Sequence, residues 1–126
     1  MLILAYIAFI GLVILHTFEE IACGIMSERI GKITMTPRRY LMAASGITTV
    51  NAVTLALIVS GAPVGDCLGL ATAAVFGVFQ AVVHAVGYFR EGKKARGLGA
   101  GFFSSIPLAI GGAVVCILIL NKMLTL

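Results

Sequence analysis

The sequence predicts an all-α polytopic membrane protein, an antiparallel bundle of four transmembrane helices. Three observations carry this expectation. Of 126 residues, 60% are hydrophobic and only 11% are charged, against about 25% charged in a soluble domain. The mean hydropathy is +1.12. Four stretches each supply the roughly 20 mainly apolar residues that cross the hydrocarbon. A soluble fold of this length has too little interior to hide so much apolar surface. The same composition argues against a secreted disulfide scaffold, a nucleic-acid partner and a disordered tail. Residues 1–126 read as a single transmembrane domain with the lipid bilayer as its first partner.

The first span runs from about Leu2 to Met26. Its start has no basic stretch and no small-residue cleavage site follows, so it reads as a retained span rather than a cleaved signal. Ile21-Ala22-Cys23 is faintly similar to a lipoprotein cleavage box, but Glu20 stands where an aliphatic residue is needed. The second span runs from about Pro37 to Ser60, with Thr36 as N-cap and Pro37 at the first helical position. The third begins near Asp66, after the breaker run Gly61-Ala62-Pro63-Val64-Gly65, and ends near Phe89. The fourth runs from about Phe102 to Leu120. Short connections make neighbouring spans antiparallel. Small residues such as Gly77, Gly111 and Gly112 suit close helix packing in lipid.

Nine Lys and Arg stand against five Asp and Glu, a formal net charge of +4. Arg29, Lys32, Arg38 and Arg39 lie between spans one and two, and Arg90, Lys93, Lys94 and Arg96 between spans three and four. By the positive-inside rule, loops 27–39 and 90–101 are cytoplasmic and both termini non-cytoplasmic, in the cell (inner) membrane. The basic surplus therefore sets orientation and meets anionic head groups. Cys23, Cys67 and Cys116 are widely spaced with no CxxC pair, which gives a disulfide framework or thiolate zinc site little support.

Polar residues inside the spans carry the functional argument. Span one contains His16-Thr17-Phe18-Glu19-Glu20. An ionisable group near the bilayer centre costs about 2.5–3.5 kcal/mol on insertion scales, so it persists where something pairs with it. His16, Glu19, Glu20 and Cys23 share one helical face at i, i+3, i+4 and i+7. Span two offers Asn51, with Thr48 and Thr54 a turn to either side; span three offers Gln80 and His84 on one face, extended by Gly77, Ala81, Gly87 and Tyr88. Counted from the basic ends of the spans at 1.5 Å per residue, His16, Glu19, Glu20, Asn51, Gln80 and His84 lie roughly 9–20 Å deep. One interior cavity holding all of them, with Gln80 at its edge, is the expectation. Ser104 and Ser105 read as capping or packing groups.

His16-Thr17-Phe18-Glu19-Glu20 resembles the signature of the HXXEE family of small integral membrane proteins, and Asn51 and His84 resemble that family's other polar positions. The resemblance covers nearly the whole chain. It implies a membrane enzyme with residues of catalytic type, and supplies no reaction.

The residues leave several chemistries open. His16, His84 and one of Glu19 or Glu20 can form a two-histidine, one-carboxylate site for a divalent ion, zinc or iron, with an open position. The other glutamate is then a general base, and Asn51 or Gln80 orients a substrate oxygen. Cys23, Thr48 and Tyr88 are candidate outer partners. Such a site favours metal-assisted hydrolysis or group transfer on a lipid-soluble or amphipathic substrate. A ferritin-like di-iron site wants four carboxylates, which only a homo-oligomer sharing the site would supply. Without metal, a carboxyl group in apolar surroundings suits acid–base chemistry, as in an isomerase or cyclase. Mid-depth carboxylates and histidines also serve proton- or metal-binding transporter subunits. Bis-histidine haem ligation leaves the two carboxylates unexplained. Finally, a purely structural polar network can lock helices together.

Overall fold

The computed structural model describes residues 1–25, 29–30, 33–91 and 101–125. Helix α1 spans Leu2–Ala22, strands β1 and β2 span Arg29–Ile30 and Ile33–Thr34, and α2 spans Pro37–Val59. The third span is continuous from Pro63 to Arg90. It consists of α3 (Pro63–Thr72), a π-helical segment (Ala73–Phe79) and α4 (Gln80–Glu91). Helix α5 spans Phe102–Leu124. The four helical spans are 21, 23, 28 and 23 residues long, about 32–42 Å at 1.5 Å per residue and enough for a hydrocarbon core of ~30 Å. The chain is an integral membrane protein built as an all-α four-helix bundle.

Local chemistry sets the helix ends. Gly24 adopts φ 78°, and the amides of Gly24 and Ile25 donate to the carbonyls of Ile21 and Glu20. That is a Schellman ending, and it stops α1 at Ala22, before Met26, which lies outside the described residues. Gly61, at φ 73°, closes α2 the same way through the carbonyls of Ile58 and Leu57. Thr36 accepts from the Arg39 amide at 3.3 Å and Pro37 opens α2, as its sequence implies. Pro63 likewise opens α3 at the first helical position. The third span therefore starts inside the breaker run, three residues earlier than its composition suggests, because proline there initiates a helix instead of breaking one. The α1–α2 connection contains a short antiparallel pairing of Arg29 with Thr34 and Ile30 with Ile33, an element too short to leave a periodic signal. Lys32, Lys93, Lys94 and Arg96 lie outside the described residues, and of Arg29 only the backbone is described.

Helix α5 packs along α1 and the whole third span, while α2 packs against α1 and α3. Tyr6, Phe9 and Val13 of α1, Ile58 of α2, Ala73, and Leu108, Val115 and Ile119 of α5 form the main apolar core. Outward faces carry Ile7, Leu15, Val53, Phe79, Ile110 and Ile117, as lipid contact requires.

The π segment answers a packing problem. Gly65, Gly69, Ala73 and Gly77 are buried at steps of four. In an ideal α-helix each such step turns the face by about 40°. The wider i→i+5 turn absorbs that drift and keeps Gly77 against α5. There the backbones meet: a Cβ on Gly77 would stand 2.9 Å from Gly112 Cα, and one on Gly112 2.7 Å from the Ala73 carbonyl oxygen. One turn further on, the same face presents Gln80 and then His84.

Candidate functional site

His16 and Glu20, one turn apart on α1, are buried at 2% and 8% relative exposure, and His84 of α4 at 4%. His16 Nε2 lies 3.1 Å from His84 Nε2. Glu20 Oε1 lies 3.4 Å from His84 Nε2 and 3.8 Å from His16 Nε2. The three donors fall within 4.8 Å of one another. Gln80 completes the cluster, with Nε2 2.9 Å from His16 Nε2 and 3.5 Å from His84 Nε2.

Two members, Glu20 and His16, are held from behind. Tyr40, in the first turn of α2, donates its hydroxyl to Glu20 Oε2 at 2.9 Å and also lies 3.1 Å from the Thr17 carbonyl. Glu20 therefore turns one oxygen to the tyrosine and the other to the imidazoles. His16 Nδ1 lies 2.9 Å from Ser104 Oγ, and Ser104 Oγ lies 3.3 Å from the Gly101 carbonyl. A carbonyl only accepts, so the serine proton points there and the serine oxygen accepts from His16 Nδ1–H. The Nε2 lone pair of His16 is thereby aimed into the cluster. Gly101, at φ 80°, makes room for this approach: a Cβ there would stand 2.6 Å from His16 Cε1 and 2.9 Å from Glu20 Cγ.

Several sequence-selected residues lie elsewhere. Glu19 Oε2 accepts the Ser104 amide at 2.7 Å. Gly101 gives α5 no side-chain cap, and Glu19 supplies one across the helix interface, where a carboxylate also complements the helix dipole. Asn51 is fully buried but away from the histidines. Its Oδ1 accepts from the Tyr6 hydroxyl at 2.9 Å and its Nδ2 donates to the Ile47 carbonyl; Tyr6 also lies 2.6 Å from Thr72 Oγ1. Tyr6 precedes His16 by ten residues, about 15 Å along α1. A common depth band of some two helical turns was broad enough to contain two separate polar clusters.

Thr48 is exposed and donates to the Ala44 carbonyl, because the buried stripe of α2 runs through Tyr40, Asn51, Thr54 and Ile58 and Thr48 falls off it. Tyr88 stacks on Phe102 at 4.3 Å, in an aromatic cluster at the end of the third span. Cys23 caps α1 and packs beside Ile25 and Tyr40. In return, Tyr40, Ser104 and Gly101 were not legible as site residues. Ser104 reads in the sequence as a capping or packing group, and nothing local marked the tyrosine or the glycine.

The cluster forms one wall of a cavity of about 320 Å³ between α1, α2 and the third span. Thr17, Tyr40 and Gln80 are its other polar lining; the rest is apolar, including Val13, Ile47, Val75, Phe76 and Phe79. In chemical terms the arrangement offers two imidazole nitrogens and a carboxylate oxygen converging on one point beside an apolar chamber, which suits a divalent cation or a shared proton. Searches of protein-family models, curated proteins and solved structures find no match to this chain.

Proposed function

We propose that the chain is an integral membrane enzyme in which His16, Glu20 and His84 hold a divalent metal ion, zinc or iron, and that it performs metal-assisted hydrolysis or group transfer on a membrane-borne substrate. The observation that carries this reading is the donor spacing. Donors about 2.0–2.2 Å from a tetrahedral ion stand roughly 3.3–3.6 Å apart. The three separations here are 3.1, 3.4 and 3.8 Å. The orienting bond from His16 Nδ1 to Ser104 and that from Tyr40 to Glu20 are of the kind that steady metal ligands. A bound ion would supply Lewis acidity and an acidified water at neutral pH. Around it, Gln80 is in reach to orient a substrate oxygen, and Tyr40 to pass or hold a proton on Glu20. Kinship with the HXXEE family belongs to this proposal and rests on His16, Glu19 and Glu20 standing in the spacing for which that family is named.

One observation favours a second reading. Tyr40, Glu20, His84 and His16 form an unbroken polar chain with steps of 2.9, 3.4 and 3.1 Å, a path along which a metal-free isomerase or cyclase could move a proton. Elemental analysis of the purified protein separates the two. Near-stoichiometric zinc or iron that is lost in His84→Ala supports the metal enzyme; a metal-free protein with turnover abolished by Glu20→Gln supports proton transfer.

We assign both termini to the non-cytoplasmic side of the cell membrane. Arg38, Arg39 and Arg90 mark one end of the bundle, and the positive-inside rule makes that end cytoplasmic. In a cysteine-free background, a cysteine at Ala62 should label with an impermeant maleimide in intact cells and one at Lys93 only after permeabilisation. The reverse pattern inverts the assignment.

A further inference from the structure

The cavity that holds the cluster has an open side. Helix α2 is tied to α3 by the three-residue connection 60–62 and packs along it, and it packs on α1. Against the π segment and α4 its contact is marginal. The third span and α2 therefore part towards the basic end, and the cavity lies in the parting. Residues on its rim face outward while lining it: Val75 is 50% and Phe79 63% exposed. In a spanning bundle this side meets lipid tails, not water.

Depth constrains what enters. His16 is six residues from the end of α1 and His84 six from Arg90, so the cluster sits about 9 Å inside the basic end. Val13, Ile47 and Phe79 lie further in, at roughly 14–17 Å, and Val75 at about 22 Å. The polar wall is thus nearer the interface, and an apolar arm runs towards the bilayer centre. That is the arrangement of an amphiphile standing in the leaflet of the basic end. At about 30 Å³ per water-sized group, 320 Å³ takes a segment on the order of ten heavy atoms, the size of one short chain. Among the described residues no Lys or Arg lines the cavity, and the acidic residue in its lining is Glu20. A phosphate or carboxylate head group would have to leave the boundary, descend about 9 Å into hydrocarbon and meet the Glu20 carboxylate with no Lys or Arg among the described lining residues.

From these features we infer that the substrate is an uncharged single-chain amphiphile. It enters sideways from the bilayer between α2 and the third span, with its chain along Ile47, Val75 and Phe76 and its polar group at His16, Glu20 and His84. The inference rests on the proposed membrane enzyme and specifies its substrate class and route.

Photolabelling tests it on the full chain in nanodiscs, with metal content measured on the same sample. The probes are decanol carrying a terminal diazirine, the phosphate monoester of that alcohol, and a phosphatidylcholine bearing the same diazirine at one chain end. The alcohol should label Ile47, Val75 or Phe76, and unlabelled decanol should compete while decyl phosphate does not. Ala44→Phe, which fills the cavity wall, should reduce labelling by about tenfold or more, the scale of an overpacking penalty; Val53→Phe, on the lipid face, should leave it unchanged. Equal labelling of these residues by the phosphate or phosphatidylcholine probe, or effective competition by decyl phosphate in the unmodified chain, overturns the inference. So does unchanged labelling in a folded Ala44→Phe protein. A sample that binds no metal but labels as expected counts against the metal reading and leaves the substrate class standing.

Discussion

His16 Nε2 and His84 Nε2 stand 3.1 Å apart across 68 residues of sequence, and Glu20 Oε1 is in reach of both. The two nitrogens can share one proton or both face a cation. If both nitrogens bore a proton, two N–H dipoles would face each other at 3.1 Å.

Removing a member of the centre should release the ion. His16→Ala, His84→Ala and Glu20→Gln should each weaken metal binding by more than the roughly 10–100-fold that loss of an outer partner causes. Asn51→Leu should leave binding unchanged, because Asn51 pairs with Tyr6. Elemental analysis after size-exclusion chromatography in detergent reads both results. Retention of full metal in all three cluster variants would remove the site.

The two adjacent glutamates should behave differently. Glu20→Gln removes a donor of the cluster, whereas Glu19→Gln weakens only a cap on the Ser104 amide. Glu19→Gln should therefore keep its metal and lose stability within the ~0.5–2 kcal/mol range of a helix cap, seen as a lower unfolding temperature. Metal loss in Glu19→Gln with metal kept in Glu20→Gln would reverse the assignment.

Ser104→Ala should reduce metal affinity by about 10–100-fold without removing a ligand, because His16 loses the acceptor that fixes its Nδ1–H. Gly101→Ala should be more damaging. Its Cβ would meet His16 Cε1 at 2.6 Å, and a side chain at positive φ adds about 1–2 kcal/mol of strain. A titration of metal into each stripped variant, followed by calorimetry, measures the difference; equal affinities for Ser104→Ala and the unmodified chain would show that the serine orients nothing.

The cluster of Tyr6, Asn51 and Thr72 should be purely structural. Tyr6→Phe and Asn51→Leu should each cost around 0.6–1.7 kcal/mol, the range of inter-helix hydrogen bonds in membranes. Together they should cost less than their sum, since both break the same bond. Unfolding in a graded denaturant series supplies the double-mutant cycle, and strict additivity would contradict the pairing.

The sequence made the spans and the His16–Glu20–His84 cluster legible for one physical reason: charge and polarity are expensive in hydrocarbon, so each exception marks something. The same rule could not sort the exceptions. Glu19 and Glu20 are neighbours with equal apparent cost, yet one turns to an amide of α5 and the other to two imidazoles. Asn51 shares a depth band with the histidines but meets a tyrosine instead, and Tyr6 and Tyr40 were hidden by being amphipathic residues that sit comfortably near span ends. The π segment was invisible because a four-residue spacing of small residues is also how an ordinary helix drifts. What decided these cases was which helix lies opposite, and that is not a local property.

The contact between Gly77 and Gly112 should prove to be what aligns the third span with α5, and through it the position of His84. A side chain at either position enters backbone, not a flexible neighbour: from Gly112 the obstacle is the Ala73 carbonyl oxygen at 2.7 Å, from Gly77 it is Gly112 Cα at 2.9 Å. Backbone cannot rotate away as a side chain can, so the helices must separate. Gly112→Val should cost about 1–3 kcal/mol, as overpacking does, and Gly77→Ala somewhat less. Because α4 continues from the π segment, the displacement should also carry His84 away from His16, lowering metal affinity at a site that Gly112 does not touch. Gly111→Ala is the control. Its Cβ would meet Leu12 Cδ1 at 2.8 Å, the far end of a flexible side chain that can rearrange, so both readouts should change little. Equal effects of Gly111→Ala and Gly112→Val on melting temperature and metal affinity would mean that the glycine contact does not set the register of the third span.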